Sequence, residues 1–167
     1  LINMKRDFVS ILDWTSEEIR SNLDFAVELK QQTKEGNCPQ LLQRKTFGLF
    51  FHKPSLRTRL SFEVGIAQLG GTAMVLSEQD FKIGERETVS DVARVMSRYV
   101  DGILIRTYSH QMVLDLAKYS TVPVVNMLTD FNHPCQVMSD MLTIKEKLGR
   151  IDEVRIAYVG DSNNMTN

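Results

Sequence analysis

The stretch of sequence that decides the fold is FFHKPSLRTRLSFE, residues 50–63. It opens with the end of an apolar run, which predicts a buried strand. A helix is predicted to begin near Ser55, because Pro54 is typical of a helix start and the Ser55 hydroxyl suits the N-cap position. A Gly-Gly pair at residues 70–71 ends this helix. The stretch therefore predicts a strand, a short polar turn and a helix.

The first turns of this helix carry groups that suit a bound phosphate. Arg57 and Arg59 lie where the helix dipole is already positive, which is unfavourable by about 0.3–1 kcal/mol per charge unless an anion neutralises it. Backbone N–H groups, the hydroxyls of Ser55 and Thr58 and a forked guanidinium together favour phosphate binding. For Arg59, the alternative is an ordinary ion pair with Glu63 one turn later. We therefore predict an anion site at Ser55, Arg57 and Thr58.

Composition and charge are those of an ordinary globular protein of 167 residues, with 43% hydrophobic and 25% charged residues. A formal net charge of −1 gives no general basic field, so we expect no nucleic-acid partner. No apolar run approaches the roughly 20 residues of a membrane span, and we expect no membrane insertion. Two isolated cysteines, Cys38 and Cys135, predict neither a disulfide framework nor a metal site and favour the cytoplasm.

Strand and helix patterns alternate from residue 46 to the end of the chain. Apolar runs predict five strands, at residues 47–51, 72–76, 102–105, 122–126 and 154–159. Capping residues and helical spacing predict five helices, which begin near Thr15, Ser55, Thr88, Ser109 and His133. This alternation predicts an α/β fold, in which a parallel sheet is covered by helices on both faces through right-handed crossovers.

Further candidate ligands follow two other predicted strands. Arg106 ends the third strand abruptly, while His133 and Gln136 lie three residues apart at the start of the helix after the fourth. Open parallel sheets bind ligands beyond the carboxyl ends of their strands, so we expect these side chains to converge with the Ser55–Thr58 turn. From the residues alone, Arg106 can instead be solvated beyond the sheet, and His133 can simply cap its helix.

Three ordered motifs resemble the aspartate and ornithine carbamoyltransferase family. Residues 55–59, Ser-Leu-Arg-Thr-Arg, resemble the family's carbamoyl-phosphate signature Ser-Thr-Arg-Thr-Arg, from which Leu56 departs. Residues 133–136, His-Pro-Cys-Gln, match the family's His-Pro-x-Gln. Residues 160–164, Gly-Asp-Ser-Asn-Asn, resemble the Gly-Asp-x-Asn-Asn of the ornithine branch and lack the Gly-x-Gly-x-x-Gly of a dinucleotide site. The resemblance spans the chain from about Phe8 to its last residue.

The resemblance implies transfer of a carbamoyl group from carbamoyl phosphate to the side-chain amine of L-ornithine, which gives L-citrulline and phosphate. The implied phosphate ligands are Ser55, the backbone of Leu56, Arg57 and Thr58. Arg57 and Thr58 would also be catalytic, because they offset the charge that builds on the leaving phosphate. The implied reaction uses no metal and no cofactor.

The other implied ligands surround the carbamoyl group. Arg106, His133 and Thr58 would donate hydrogen bonds to the carbamoyl oxygen and so be catalytic. Gln136 would accept a hydrogen bond from the carbamoyl amino group through its side-chain carbonyl. His133 can in principle act as a general base, but a site rich in cations disfavours its protonated form, so we predict that it is a hydrogen-bond donor.

The resemblance also implies how the chain is organised. We expect residues 1–150 to form the carbamoyl-phosphate-binding domain, including the interdomain helix, and residues 151–167 to begin an ornithine-binding domain whose remainder is absent. Asn164 is the implied contact to ornithine. In the implied homotrimer, or multiple of trimers, Lys82 would reach the phosphate in a neighbouring subunit; an exposed loop lysine is the alternative.

Other acceptors fit the same motifs. Aspartate, putrescine and N-acylated ornithine remain alternative acceptors, because the residues that determine acceptor specificity belong to the second domain. A protein of a different class, an anion-binding or assembly module without activity of its own, is the other alternative. Formation of citrulline separates that module from an enzyme.

Overall fold

The computed structural model describes residues 5–77, 83–84 and 87–160. Within these ranges a short 3-10 helix, Ile11–Asp13, precedes five α-helices and four β-strands. The helices are α1 (Ser16–Lys34), α2 (Leu56–Gln68), α3 (Val89–Tyr99), α4 (His110–Tyr119) and α5 (Pro134–Leu148). The strands are β1 (Thr46–Phe51), β2 (Thr72–Ser77), β3 (Gly102–Arg106) and β4 (Val124–Leu128). No helix in this part of the chain is long and apolar enough to cross a membrane.

The helices begin at the residues that the sequence predicts. Four predicted N-cap hydroxyls accept a hydrogen bond from the backbone N–H three residues later: Thr15, Ser55, Thr88 and Ser109. His133 caps α5, with Pro134 at the first helical position. Gly149 ends α5 in the left-handed conformation, with φ 70°, which glycine adopts without steric cost.

All strand pairs are parallel, and the strand order is β2-β1-β3-β4. The chain therefore winds from β1 outward to β2, returns to the other side of β1 as β3, and continues in the opposite direction to β4. Such a reversal opens a crevice beyond the carboxyl ends of the two central strands. In this chain the crevice lies where β1 leads into α2 and where β3 ends at Arg106.

Helices cover both faces of the sheet, as predicted. Phe50 and Ile105 belong to a hydrophobic core that the sheet forms with α3 and α4. Their neighbours Leu49 and Leu104 point to the opposite face and pack with Ile66 of α2. Because successive strand residues alternate between faces, apolar residues at every position bury both sides of β1 and β3.

Two strand predictions need correction at the edges of the sheet. β2 is not the buried strand that its apolar run predicts, because it is an edge strand and leaves Met74 49% exposed. β4 begins at Val124 and ends at Leu128, two residues later than predicted. Pro123 has no N–H and therefore precedes the ladder, while its carbonyl oxygen accepts a hydrogen bond from Ile103 at 2.9 Å.

The predicted fifth strand, residues 154–159, is wrong for this structure. These residues form no strand, and Ile156 and Val159 are 74% and 95% exposed. A strand requires a neighbouring strand to satisfy its backbone groups, and none of the four described strands pairs with this segment. The contact to α1 is made just before the segment, where the guanidinium of Arg20 pairs with both carboxylate oxygens of Asp152.

Candidate active site

A cleft of about 620 Å³ lies at the carboxyl ends of β1, β3 and β4. It brings together six predicted site residues: Ser55, Arg57, Thr58, Arg106, His133 and Gln136. The side chain of Leu56 does not line the cleft and is 73% exposed. Lys82 and Asn164, the other predicted ligands, lie outside the described residues.

The two arginines at the start of α2 differ in what they contact. Arg59 Nε donates to Glu63 Oε2 at 2.8 Å, which confirms the predicted pair one turn apart. It lines a second cavity, of about 590 Å³, rather than the cleft. Arg57 lines the cleft and forms no ion pair with any described residue. Arg57 is therefore the guanidinium of this pair that is available to an anion.

The Thr58 hydroxyl is oriented by its neighbours. Its oxygen accepts hydrogen bonds from the Ser55 hydroxyl at 3.0 Å and from Arg106 Nη1 at 3.3 Å. Because both contacts use the oxygen as acceptor, the Thr58 proton remains free to donate to a bound group. The hydrogen bond between Arg106 and Thr58 also joins the end of β3 to the start of α2.

Backbone N–H groups at the start of α2 add further donors. Ser55 Oγ accepts from the Thr58 N–H, and the Ser55 carbonyl accepts from the Arg59 N–H. The N–H groups of Leu56 and Arg57 have no acceptor within the described ranges, as is usual for the first turn of a helix. Together with the helix dipole they form a site for an anion.

Arg106 is held at the edge of the sheet, half-buried, rather than solvated beyond it. Its Nε donates to the Lys53 carbonyl at 3.2 Å, in addition to the contact with Thr58. The ladder between β3 and β4 is irregular between Ile105 and Arg106, where Arg106 pairs with Leu128. Irregularities of this kind redirect side chains at functional sites. Burial lowers the pKa of the guanidinium from its ordinary value, an effect that Tyr108 opposes, and arginine remains charged at neutral pH.

His133 is held as a neutral imidazole. Its Nδ1 accepts a hydrogen bond from the Gln136 N–H at 3.4 Å, so the ring proton of the neutral form is on Nε2. Burial, followed by the charge of Arg106, lowers the pKa of His133 from its ordinary 6.5, and Asp140 opposes this only as the smallest contribution. The geometry therefore presents an Nε2–H donor.

Gln136 lines the cleft beside His133. Its Nε2 donates to Asp140 Oδ1 at 2.9 Å, one turn further along α5. A carboxylate only accepts hydrogen bonds, so the amide nitrogen of Gln136 faces Asp140 and its carbonyl oxygen is the group left for a ligand.

Sequence reasoning missed the apolar wall of the cleft, to which Phe8, Phe62, Leu128 and Met138 contribute. Phe8 reaches this position because the segment before α1 pairs with β4: the Phe8 N–H donates to the Val124 carbonyl at 2.8 Å. A single residue in a bridge has no periodic signal, so only the tertiary structure reveals it.

Cys135 also lines the cleft but is chemically inert. Its thiol donates to the Asn126 carbonyl at 3.3 Å, and burial raises its pKa to about 12. The thiolate is the reactive form of cysteine, so this residue does not serve as a nucleophile at neutral pH.

The charge of the cleft is positive. Arg57 and Arg106 line it, and no aspartate or glutamate among the described residues does so. With His133 neutral, two positive charges face the cavity, and none of the carboxylates that the structure describes lines it to compensate them. No group of three or more potential metal-ligating side chains occurs in the described part of the chain. The arrangement suits a small dianion that also carries a carbonyl group.

Comparisons with known proteins give the same assignment. Residues 6–146 match the family model described as aspartate/ornithine carbamoyltransferase, carbamoyl-P binding domain. The chain is 51% identical over 160 residues to an ornithine carbamoyltransferase of Anoxybacillus flavithermus. The aligned residues cover 96% of this chain and 51% of that protein. It spans about half the length of the curated relatives it matches.

Solved structures agree. An ornithine carbamoyltransferase from Pyrococcus furiosus superposes with a TM-score of 0.95 at 49% identity, covering 99% of this chain and 53% of that one. One from Burkholderia thailandensis superposes with a TM-score of 0.93 at 42% identity, covering 96% and 56%. By sequence and by fold, the chain belongs to the aspartate/ornithine carbamoyltransferase family, and its match is to the domain of that family described as carbamoyl-P binding.

Proposed function

We propose that the whole protein transfers a carbamoyl group from carbamoyl phosphate to the side-chain amine of L-ornithine, and that this chain supplies the carbamoyl-phosphate site. The observation that carries the proposal is the cleft, where two guanidinium groups and the start of α2 face a cavity that no described carboxylate lines. Carbamoyl phosphate is a small dianion, so its charge matches the two arginines. The similarity to proteins named ornithine carbamoyltransferase supports ornithine as the acceptor.

The phosphate would bind at the start of α2. Arg57 supplies a forked guanidinium that pairs with no described carboxylate, and the N–H groups of Leu56 and Arg57 supply two further donors. The Ser55 hydroxyl, which contacts Thr58 in this structure, can turn toward a phosphate oxygen. These groups would stabilise the charge that builds on the phosphate as the carbon–oxygen bond breaks.

The carbamoyl oxygen would point toward Arg106, His133 and Thr58. Attack by the amine on the carbonyl carbon places negative charge on this oxygen, and each oriented donor to such an oxygen contributes about 2.7–4 kcal/mol to catalysis. Arg106 and Thr58 are already joined at 3.3 Å, so two of the three donors are positioned before the ligand arrives. Holding the amine in line with the carbonyl accounts for much of the remaining acceleration.

The proton balance does not require His133 as a base. The new carbon–nitrogen bond forms as the carbon–oxygen bond to phosphate breaks, and the amine proton passes to the leaving phosphate. His133 contributes its Nε2–H as a donor, because Nδ1 already accepts from the Gln136 N–H. A neutral histidine of lowered pKa suits this role over the physiological range.

The organisation of the whole protein is part of the proposal. Residues 1–150 form the carbamoyl-phosphate-binding domain, and residues 151–167 begin a second domain in which Asn164 contacts ornithine. The active protein is a homotrimer, or a multiple of trimers, in which Lys82 reaches the phosphate of a neighbouring subunit. The cytoplasm is its proposed location, supported by Cys38 and Cys135, which are both free thiols.

Titration calorimetry of this chain with carbamoyl phosphate tests the proposed site. We expect one site per chain and weaker binding in the Arg57→Ala variant, whereas no heat of binding to the unmodified chain would refute the proposal. Citrulline assays on the protein together with its second domain test the reaction. Ornithine should be carbamoylated, whereas aspartate, as the control acceptor, should not.

A further inference from the structure

We propose that Asp140 is a positioning residue that makes the cleft select an amino group over a methyl group on the carbonyl carbon of its ligand. It does so by fixing which end of the Gln136 side-chain amide faces the cleft. The inference rests on the proposed function and goes beyond it, because Asp140 itself does not line the cleft.

The first argument is the direction of the hydrogen bond. A free glutamine side chain presents its amide in two orientations, with either the NH₂ group or the oxygen toward a ligand. Gln136 Nε2 donates to Asp140 Oδ1 at 2.9 Å, and the reversed amide would place two oxygens against each other. Asp140 therefore leaves the Gln136 carbonyl oxygen as an acceptor beside the cleft. An acceptor at that position favours a ligand N–H over a methyl group.

The second argument is that Gln136 is fixed at both ends. Its backbone N–H donates to the His133 carbonyl at 3.0 Å and contacts His133 Nδ1 at 3.4 Å. With the backbone held by the helix start and the amide held by Asp140, few rotamers remain. The ligand then binds an acceptor that is already ordered, which reduces the entropy lost on binding.

The third argument concerns the contacts of Asp140, whose charge also raises the pKa of His133 as the smallest of three contributions. Within the described ranges its only hydrogen bond is to Gln136, and it forms no salt bridge. Aspartate is also a weak helix former compared with alanine. A negative charge near a site for a dianion is unfavourable for phosphate binding, so phosphate affinity does not account for Asp140, whereas amide orientation does.

A pair of stable phosphonates tests the proposal. In phosphonoacetamide a CH₂ group replaces the bridging oxygen of carbamoyl phosphate, and in acetonylphosphonate a methyl group also replaces the amino group. Calorimetry should show that the unmodified chain binds the amide more tightly than the ketone. In Asp140→Ala we expect this preference to fall about five- to tenfold, the loss of about one hydrogen bond. Removal of the negative charge should leave ketone affinity unchanged or raise it slightly, and the same charge effect on the amide cancels in the ratio of the two affinities. Asp140→Asn keeps an acceptor oxygen and should retain most of the preference.

Two controls separate orientation from general damage. Asp115→Ala removes the same kind of contact on α4, where Gln111 Nε2 donates to Asp115 Oδ1 at 3.0 Å, and should leave the preference unchanged. In a Gln136→Leu background, Asp140→Ala should have no further effect on the preference. If Asp140→Ala lowers the affinity for both phosphonates equally, or leaves the ratio of amide to ketone affinity unchanged, the proposed role of Asp140 is wrong, while the proposed function still stands. Failure of the unmodified chain to bind either phosphonate would overturn the proposed function and this inference with it.

Discussion

Arg57 and Arg59 are two residues apart on α2, yet the structure gives them opposite roles, which a pair of alanine substitutions can measure. Arg57 faces the cleft without an ion pair to any described residue, so Arg57→Ala removes a phosphate ligand and leaves no group unpaired. Arg59 is paired with Glu63 at 2.8 Å and faces away from the cleft. The two variants remove the same charge from the same turn of helix.

The expected magnitudes follow from these contacts. A hydrogen bond to a charged group contributes about 1.5–3 kcal/mol, so Arg57→Ala should weaken binding of phosphonoacetamide by about 10- to 150-fold. Coulomb attraction encloses this range: unit charges about 4 Å apart interact by about 1 kcal/mol in water and about 4 kcal/mol near a protein surface. An exposed pair such as Arg59–Glu63 contributes about 0.3–0.5 kcal/mol to stability, and Arg59→Ala should change phosphonate binding less than about threefold.

Titration calorimetry at low and at high salt provides the assay. The difference between the two variants should shrink at high salt, because screening weakens the contribution of an exposed arginine. Arg57→Lys keeps the charge and loses the fork, so its affinity should lie between those of the original chain and Arg57→Ala. Equal losses in Arg57→Ala and Arg59→Ala would refute the assignment of Arg57 as the phosphate ligand.

Three further predictions concern titration, reactivity and stability. The lowered pKa of His133 means that the unfolded chain takes up a proton near pH 6.5 while the folded chain does not, so stability is lost as pH falls below that value. His133→Asn retains a capping group, so the variant should lose less unfolding free energy than the original chain when the pH falls from about 7.5 to about 5.5, as measured by denaturation. An equal loss in both chains would show that other groups cause the pH dependence. Iodoacetamide at about pH 8 should label Cys38 faster than Cys135, because burial raises the pKa of Cys135 to about 12. Mass spectrometry measures the two labelling rates, and equal rates would show that Cys135 is not buried. Asn126→Ala removes the buried donor to Asn132 Oδ1 and should lower the free energy of unfolding by about 1–3 kcal/mol in urea titration, whereas an unchanged midpoint would contradict that role.

Local signals predicted much of the fold and most of the cleft. Ser55 and His133 are recognisable helix caps because capping depends on residues within one turn, and both lie where the sequence placed them. Arg106 is recognisable because a charge that ends an apolar run marks the end of a buried strand. The convergence of these residues follows from the parallel sheet, whose strand ends meet along one edge.

What the sequence did not predict depends on long-range contacts. Phe8 joins the cleft only because its backbone pairs beside β4, more than one hundred residues away along the chain. Residues 154–159 have the composition of a strand, but composition cannot supply the neighbouring strand that their backbone groups require.

A crystal structure of the chain with phosphonoacetamide bound decides directly whether the cleft accepts a carbamoyl phosphate. We expect the phosphonate oxygens at the start of α2, within hydrogen-bond distance of Arg57, and the carbonyl oxygen within reach of Arg106 and His133. A ligand found elsewhere on the chain, with Arg57 and Arg106 both unengaged, would contradict the assignment of this cleft.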